Sequence, residues 1–412
     1  MKLIIKARKL IDGTGGDAVE NGALLVEDGR ITAVATRGDL EAGSVDRATV
    51  IDVPGGSIVP GLVETHAHMH CSADADTFRQ VTTEPDDVLL LRAAQAVRAA
   101  LASGVTTMRD LGSKNAVAFR IRQSIEDGII PGPHLLVAGT PITTTAGHCH
   151  MFGTEADTEE QVVTAVRSQI KQGADCIKIM ATGGNFTPRS NVRQVQYPAS
   201  TLRAAVVDAE RLGAPVASHC HSAQGVRNAV EAGVHTLVHC TWISDNPDRD
   251  FDYDPSVADA IAERGSFVDP TVAVSYQRQI DSPDLAIFQP GGIFADMDAR
   301  YRILRDMWER GVRFVAGLDA GMQGGRFGDH AATAEVMVAK LGISPMDALV
   351  CATRNSADCL GMLNETGTLE AGKRADVLVL DGDAAEDVGA LRLVNTVVKD
   401  GRIVKRDGRS LV

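Results

Sequence analysis

The stretch APVASHCHSAQGVRNAVEAGVHTLVHC, residues 214–240, contains a complete strand–helix–strand unit. The apolar runs APVASH and VHTLVHC at its two ends predict buried strands. Between them, AQGVRNAVEAG has the apolar spacing of an amphipathic helix that ends at a glycine. Strands joined by a helix pair in parallel, so their carboxyl ends lie at the same edge of a sheet. The unit therefore predicts that His219 and His239, which stand at these ends, lie close together.

Short apolar runs alternate with amphipathic helical stretches throughout residues 59–360. The runs that predict strands are SIVPGLVETH, VTTMRD, HLLVAG, ADCIKIM, APVASH, VHTLVHC, SFVDPT and VRFVAGLD. An eight-fold alternation of this kind is typical of a (β/α)₈ TIM-type barrel. A doubly wound open sheet alternates in a similar way, but no GxGxxG motif follows a strand here. We therefore expect an α/β fold built on a barrel.

The two ends of the chain differ from this middle, because they are rich in short strands. VEDGRITAV near the start and VKDGRIVKR near the end share the pattern strand, Asp-Gly, strand. This pattern is typical of a β-hairpin. We expect residues 1–58 and 361–412 to form one small β-sandwich domain beside the barrel.

Composition excludes several classes of partner. The 412 residues contain 41 Lys and Arg against 54 Asp and Glu, a net charge of −13, which argues against nucleic acid or an anionic membrane as a partner. No apolar run reaches the roughly 18 residues of a membrane span. The seven cysteines lack CxxC spacing, so we expect no disulfide framework and a cytoplasmic protein.

Polar side chains stand at the carboxyl ends of the predicted strands. In a barrel these ends gather at one face, where active sites lie. Imidazole and carboxylate groups are ligands that zinc-like divalent ions prefer. The residues concerned are His66, His68, Lys178, His219, His239 and Asp319, with His148 and His150 in the loop after the third strand. The pattern predicts a metal site.

The potential ligands outnumber those that one catalytic ion takes, so two ions are expected if a group bridges them. Lys178 is the candidate bridge, although an ammonium group has no lone pair. Burial lowers the pKa of a lysine, and the neutral amine can take up carbon dioxide, supplied as bicarbonate, to give a carbamate that binds two metals. The alternative is a one-metal site in which Lys178 pairs with Asp319.

Across essentially its whole length, the sequence resembles the amidohydrolase superfamily. The matching segments are VPGLVETHAH, ADCIKIMATGG, PVASHCH, VHTLVHC, VAGLDAG, ATRNSADCLGM and GTLEAGKRADVLVLDG. The resemblance implies a metal-dependent hydrolase that acts on the C–N bond of a small-molecule amide. We also expect a homo-oligomer.

The resemblance also implies a role for each polar residue. Two zinc ions are expected, one held by His66, His68 and Asp319 and the other by His219 and His239, with carboxylated Lys178 and a hydroxide as bridges. Asp319 would accept the proton of the attacking water and pass it to the leaving amine. His148 would bind the substrate carbonyl or carboxylate; its alternative role is to stabilise its loop.

The segments KIMATGG and HCH are most similar to the branch of Xaa-Pro and other Xaa dipeptidases that includes ochratoxin-type amide hydrolases. The predicted substrate is therefore a dipeptide or an N-acyl amino acid. That branch often has a tyrosine where this sequence has His221, which leaves the substrate open. The residues predicted to bind substrate are His148, His150, His221, Arg189, Arg193 and Trp242. Trp242 could equally belong to the core, and the two arginines to the solvated surface.

Other functions and roles are weighed against these. The alternative function is hydrolysis of a cyclic amide, as in imidazolonepropionase. Deamination is disfavoured, because deaminases of this fold carry a glutamate where this sequence has Ser222. His70 has no assigned role. The thiols beside the ligands are interpreted as small buried hydrophobic groups rather than metal ligands, namely Cys149, Cys220 and Cys240.

Overall fold

Both ends of the chain contribute to one β-sheet. The computed structural model describes residues 2–42, 48–289 and 292–412. Among them, the long strand Thr49–Pro60 pairs in parallel with Lys2–Leu10 and antiparallel with Val377–Leu380. The nine strands of this sheet are Lys2–Leu10, Val19–Glu20, Gly22–Glu27, Arg30–Thr36, Thr49–Pro60, Val377–Leu380, Val394–Lys399, Arg402–Arg406 and Arg409–Ser410. The pairing is that of a single sheet, so it does not by itself show the two facing layers of the expected sandwich.

The two predicted hairpins are confirmed. In the first, Glu27 pairs with Arg30 across a turn, and in the second Lys399 pairs with Arg402. Both turns consist of an Asp-Gly pair in which the aspartate and the glycine have positive φ, 47° and 84° in the first turn and 49° and 71° in the second. Such turns match the right-handed twist of the paired strands, which explains why the same two letters occur in both places.

Parallel strands follow in the middle of the chain. A three-stranded sheet contains Leu62–Ala67, Val105–Asp110 and His134–Val137. A seven-stranded sheet contains Thr154–Glu155, Ile142–Thr143, Ile177–Met180, Val216–Ser222, Thr236–Ile243, Phe267–Asp269 and Arg313–Phe314, in this order. Each of the eight runs predicted as strands overlaps one of these strands, so their positions are confirmed, although the strands Val216–Ser222 and Thr236–Ile243 continue three residues beyond their predicted runs.

Backbone hydrogen bonds connect the two parallel sheets, or the residues next to their strands, on two sides. On one side, the N–H of Asp175 donates to the carbonyl of Val137 (2.8 Å). On the other, the N–H of His68 donates to the carbonyl of Ala320 (2.7 Å), and the N–H of Ala320 donates to His66 (3.0 Å). The end of the first predicted strand therefore lies beside the chain that follows the eighth.

Helices alternate with the parallel strands. The α-helices are Arg37–Ala42, Thr77–Thr83, Asp86–Ala102, Val117–Glu126, Glu159–Lys171, Ala199–Arg211, Ala223–Ala232, Pro255–Arg264, Val272–Asp281, Met297–Glu309, Ala331–Val336, Pro345–Val350 and Ser356–Cys359. Short 3₁₀ and π segments are Ala286–Phe288, Val388–Arg392, Met337–Leu341 and Cys351–Asn355. Within the described ranges, none of the helices has both the length and the apolar character that crossing a membrane requires.

The helix Ala223–Ala232 shows how the opening stretch of sequence sets local structure. It begins after Ser222, whose hydroxyl accepts a hydrogen bond from the N–H of Gly225, and it ends at Gly233 in the left-handed conformation. A side chain at Gly225 would overlap Thr182, which follows the neighbouring strand Ile177–Met180. The caps and this close approach therefore fix the helix against the sheet.

All seven cysteines are free and buried. The prediction that the chain has no disulfide framework is therefore confirmed. The Cys220 thiol lies 3.5 Å from the carbonyl oxygens of Ser218 and Val238, as expected of a small buried group inside the sheet.

Candidate metal centre

A cavity of about 270 Å³ lies at the carboxyl ends of the parallel strands. Strand register determines how far along the strands its polar groups lie, because Met180 pairs with His219 and Cys220 pairs with His239. The predicted metal ligands all line it, namely His66, His68, Lys178, His219, His239 and Asp319. The structure thus brings together residues that are up to 253 positions apart in a chain of 412.

One cluster of potential ligand atoms comprises His66, His68 and Asp319, whose ligand atoms lie within 4.8 Å of one another. Oδ1 of Asp319 is 3.3 Å from Nε2 of His66 and 3.4 Å from Nε2 of His68. All three residues are buried. Two imidazoles and a carboxylate at these separations are a suitable donor set for a divalent ion.

Hydrogen bonds on the far side of each ring orient the two imidazoles. Nδ1 of His68 lies 2.8 Å from the carbonyl oxygen of Gly112, which can only accept, so Nδ1 carries the hydrogen. Nδ1 of His66 lies 3.0 Å from the carboxylate of Asp269 and donates to it. Both Nε2 atoms therefore keep a lone pair that faces Asp319, as a metal ligand requires.

Lys178 adjoins this cluster, because its Nζ lies 3.3 Å from Nε2 of His66. Burial lowers the pKa of Lys178 to about 8, which increases the share of neutral amine near neutral pH. Burial by itself would raise the pKa of Asp319, but His66, His68 and Lys178 hold that pKa well below its ordinary value. The site therefore contains an ionised carboxylate beside an amine whose pKa is lower than that of an exposed lysine.

A second cluster comprises His219, His221 and His239, again with ligand atoms within 4.8 Å of one another. The ring centroids of His219 and His239 are 4.6 Å apart, and the ring of His221 stacks on that of His239 at 4.5 Å. Sequence reasoning paired His219 with His239 and assigned His221 to substrate, whereas the structure places all three imidazoles together. Burial lowers the pKa of each well below its ordinary value, so they are neutral.

The backbone is strained at two potential ligands. His239 has φ of 69° and Asp319 has φ of 55°, values that side chains other than glycine adopt rarely. Such strain persists only where surrounding structure holds it, and it is concentrated at functional sites. Here one strained residue belongs to each cluster, and both line the cavity.

His148 is in contact with the second cluster. Its ring centroid lies 4.5 Å from that of His219, and its Nδ1 is buried without a hydrogen-bond partner among the described residues. Gly184 makes room for it, because a Cβ there would overlap the imidazole. Burial lowers the pKa of His148 to about 3, so the ring is neutral and one nitrogen can donate to a ligand.

Comparison with known proteins agrees with this arrangement. The sequence model of the amidohydrolase family matches residues 57–404. The chain belongs to the amidohydrolase family. Its members usually bind divalent metals, and the two clusters fit such ions because they present neutral imidazoles and a carboxylate at ligand distance.

Several relatives resemble this amidohydrolase over nearly its whole length. Ochratoxinase from Aspergillus niger is 27% identical, and the match covers 98% of this chain and 87% of that protein. Imidazolonepropionase from Symbiobacterium thermophilum is 25% identical over 99% of this chain and 98% of that protein. The crystal structure of a Xaa-Pro dipeptidase with bound methionine in its active site superposes with a TM-score of 0.86 at 27% identity, covering 98% of this chain and all (100%) of that one.

Four residues predicted to bind substrate do not line the cavity of this amidohydrolase. His150 is 41% exposed at its side chain and lies 3.8 Å from Glu155. Arg193 donates to the backbone carbonyl of Ser244 (2.6 Å) instead, and Arg189 is exposed. Trp242 is completely buried, and its indole N–H donates to the sulfur of a methionine 3.3 Å away, so it is a core residue.

Three further residues at the site escaped sequence reasoning. Asp269 ends the seventh predicted strand, SFVDPT, so its position at a strand end was a signal that could have found it. Arg278 and Arg300 lie on the helices Val272–Asp281 and Met297–Glu309 and also line the cavity. They carry no motif, and only the packing of the helices brings them to the site.

Buried hydrogen bonds to Glu64 support the first cluster from behind. The carboxylate of Glu64 lies 2.8 Å from Nδ1 of His330 and accepts hydrogen bonds from the backbone N–H groups of His66 and Leu318. It therefore connects the first strand to the segment before Asp319. His70, to which the sequence assigned no role, is buried 3.8 Å from the sulfur of its neighbour Cys71 and does not line the cavity.

Proposed function

We propose that this amidohydrolase hydrolyses the C–N amide bond of a small molecule, namely a dipeptide or an N-acyl amino acid. One observation carries the proposal: two ligand clusters adjoin in a single cavity, and Lys178, on the strand next to that of His219, contacts His66 of the first cluster. His66 is 3.3 Å from Nζ of Lys178, and its ring centroid is 5.4 Å from that of His239 in the other cluster. Two ions in one cavity would suit attack on a carbonyl better than a single ion does.

The residues that would hold the metals follow from the clusters. One ion would be held by His66, His68 and Asp319, and the other by His219 and His239, with carboxylated Lys178 as the bridge. Zinc is the ion that this donor set favours. When bound, the two ions supply a Lewis acid for the amide carbonyl and lower the pKa of water.

The chain itself moves the proton and positions the substrate. Asp319 is ionised, because its pKa lies well below its ordinary value, so it can take a proton from water and return it to the nitrogen of the leaving amine. His148 and His221 both line the cavity beside the ligands, where they would contact the substrate carbonyl or carboxylate. The burial of these groups keeps bulk water from competing for the same hydrogen bonds.

We also propose the fold and assembly that this activity implies. The eight parallel strands would close into a (β/α)₈ barrel over residues 59–360, and the backbone hydrogen bonds of Ala320 with His66 and His68 support that closure. Residues 1–58 and 361–412 would form a β-sandwich domain beside it. A homo-oligomer in the cytoplasm, without nucleic-acid or membrane partners, remains part of the proposal.

A second candidate function is hydrolysis of a cyclic amide. The similarity to imidazolonepropionase, which extends over 99% of this chain, favours it. Both reactions open an amide-type bond at the same kind of metal site, so the choice depends on the substrate pocket.

One experiment separates the two. Protein made with ample zinc and bicarbonate is analysed for metal and then incubated with dipeptides, N-acyl amino acids, lactams and imidazolones. We expect about two ions per chain and release of a free amino acid from the first two classes. Activity on lactams or imidazolones alone would support the second function instead of the first. The absence of activity on any amide would refute both functions.

A further inference from the structure

Two arginines in the cavity have N–H groups without partners. Arg278 and Arg300 both line it together with the histidines. In the part of the chain that the structure describes, Nε of Arg278 and both Nε and Nη1 of Arg300 are buried and form no hydrogen bond. A buried cation without an anionic partner is costly, so such groups are normally paired. The free N–H groups indicate that an anion belongs in this cavity.

Arg300 is held so that part of its guanidinium stays free. Only 1% of the residue is exposed; its Nη2 donates to the carbonyl of Pro270, and its Cζ lies 5.3 Å from the ring centroid of Phe294. The carbonyl takes one of the two hydrogens on Nη2. The second Nη2 hydrogen points the same way as the N–H of either Nε or Nη1. That pair of parallel N–H groups remains free to bind the two oxygens of a carboxylate.

The carboxylates already in the cavity are committed elsewhere. Asp74 accepts hydrogen bonds from the N–H of Asp76 and from the side chain of Gln80 in the helix that follows. Asp319 faces the imidazoles of the first cluster. Burial lowers the pKa of Arg300 to about 10, and the guanidinium is still a cation at neutral pH.

The wall next to Arg300 is apolar. Ile287, Phe288 and Phe294 line the same cavity, and the two phenylalanine rings stack with centroids 6.2 Å apart. A ligand that fits here carries an apolar group close to its negative charge, since aromatic rings favour apolar or aromatic partners.

We propose that Arg300, with Arg278 adding positive charge in the same cavity, binds the carboxylate of a substrate whose adjacent side chain is apolar and packs against Phe288 and Phe294. The proposal rests on the proposed function only in taking this carboxylate to belong to the amide substrate. It makes the preferred leaving group an apolar or aromatic amino acid.

Binding of two probes that contain no amide tests it. We would measure the affinity of the holoenzyme for 3-phenylpropionate and for 3-phenylpropan-1-ol by calorimetry. The wild type should bind the acid at least about ten-fold more tightly than the alcohol, which is the range of a hydrogen bond between charged groups. Arg300→Met should abolish this preference, and Arg278→Met should reduce it.

The matched control is Arg189→Met, which removes the same charge from an exposed position outside the cavity. It should keep the wild-type preference. If Arg300→Met does not fold, Arg300→Lys retains the charge but loses the planar fork, and we expect it to weaken acid binding several-fold. A folded Arg300 variant with an unchanged preference would overturn the proposal, because the carboxylate would then bind elsewhere, such as at the metals. The same holds if the wild type shows no preference.

A parallel assay distinguishes failure of this inference from failure of the proposed function. N-acetyl-L-phenylalanine and N-acetyl-L-phenylalaninamide differ only at the carboxylate. Equal hydrolysis of the two would overturn the inference while the amidase function stands. If Arg300→Met loses acid binding and the wild type hydrolyses none of the amides, the anion site is supported and the amidase function is refuted.

Discussion

The carboxylate of Asp269 lies 3.0 Å from Nδ1 of His66, and both side chains are buried. It accepts the Nδ1 hydrogen and thereby directs the Nε2 lone pair of His66 toward Asp319. A second hydrogen bond, from the N–H of Thr271, holds the carboxylate in place. Asp269 thus acts on the candidate metal site through His66.

We expect Asp269→Asn to weaken metal binding roughly 10- to 100-fold, because the amide no longer fixes the tautomer of His66. The measurement is retention of zinc against a chelator of known affinity. Asp259→Asn, at an exposed position, should bind metal as the wild type does. Equal retention by both variants would show that Asp269 does not position the ligand.

Lys178→Ala should lose much of its metal, because the bridge between the clusters is absent. Short carboxylic acids should restore part of the metal content and activity by taking the place of the carbamate. Metal analysis by mass spectrometry, with and without added acetate or propionate, tests this. A single ion beside an unmodified lysine in an experimental density map would contradict the bridge.

Asp319→Asn keeps the size of the side chain but removes its ability to accept a proton. We expect kcat to fall by at least ~10²-fold, the range for general acid–base groups. Because Asp319 is also a candidate ligand, the assay is performed on protein whose metal content has been measured. A kcat close to that of the wild type at full metal content would refute the proton transfer.

Gly184→Ala introduces a methyl group that would overlap the ring of His148. If His148 contacts the substrate, its displacement should lower kcat/KM on the order of 10²-fold, which a shift of about 1 Å can cause. Gly55→Ala is the control, because a methyl group at that position would have no other atom within 4 Å. Unchanged kinetics in a folded Gly184→Ala protein would remove His148 from the substrate site.

Burial lowers the pKa of His235 to about 4 from an ordinary 6.5. It is therefore neutral in the folded protein, whereas the unfolded chain takes up a proton as the pH falls below 6.5. The contribution of His235 to the free energy of unfolding should decline as the pH falls from 6.5 to about 4. Below about pH 4 it should decline no further.

Urea unfolding at pH 7 and pH 5 measures this decline. His235→Gln should show a smaller decline than the wild type, since its side chain does not titrate. His150→Gln, which replaces a histidine with 41% of its side chain exposed, should keep the wild-type decline. A decline of the same size in His235→Gln and the wild type would contradict the assignment.

The sequence by itself determined the order of strands and helices, the two hairpin turns and the candidate metal ligands. These are local properties: the strand runs and the Asp-Gly turns depend on neighbouring residues, and His66, His219 and His239 belong to predicted strand runs. The helix Ala223–Ala232 likewise begins and ends at its own cap residues.

Only the tertiary structure decided which other side chains reach the cavity. Arg278 and Arg300 line it while Arg189 and Arg193 do not, although the latter pair follows the Lys178 motif closely in sequence. The ring of His221 stacks on that of His239 from the neighbouring strand, where the register shifts and the His239 strand contains the extra residues. Distances between side chains on separate elements depend on how helices and strands pack, and no local pattern encodes that packing.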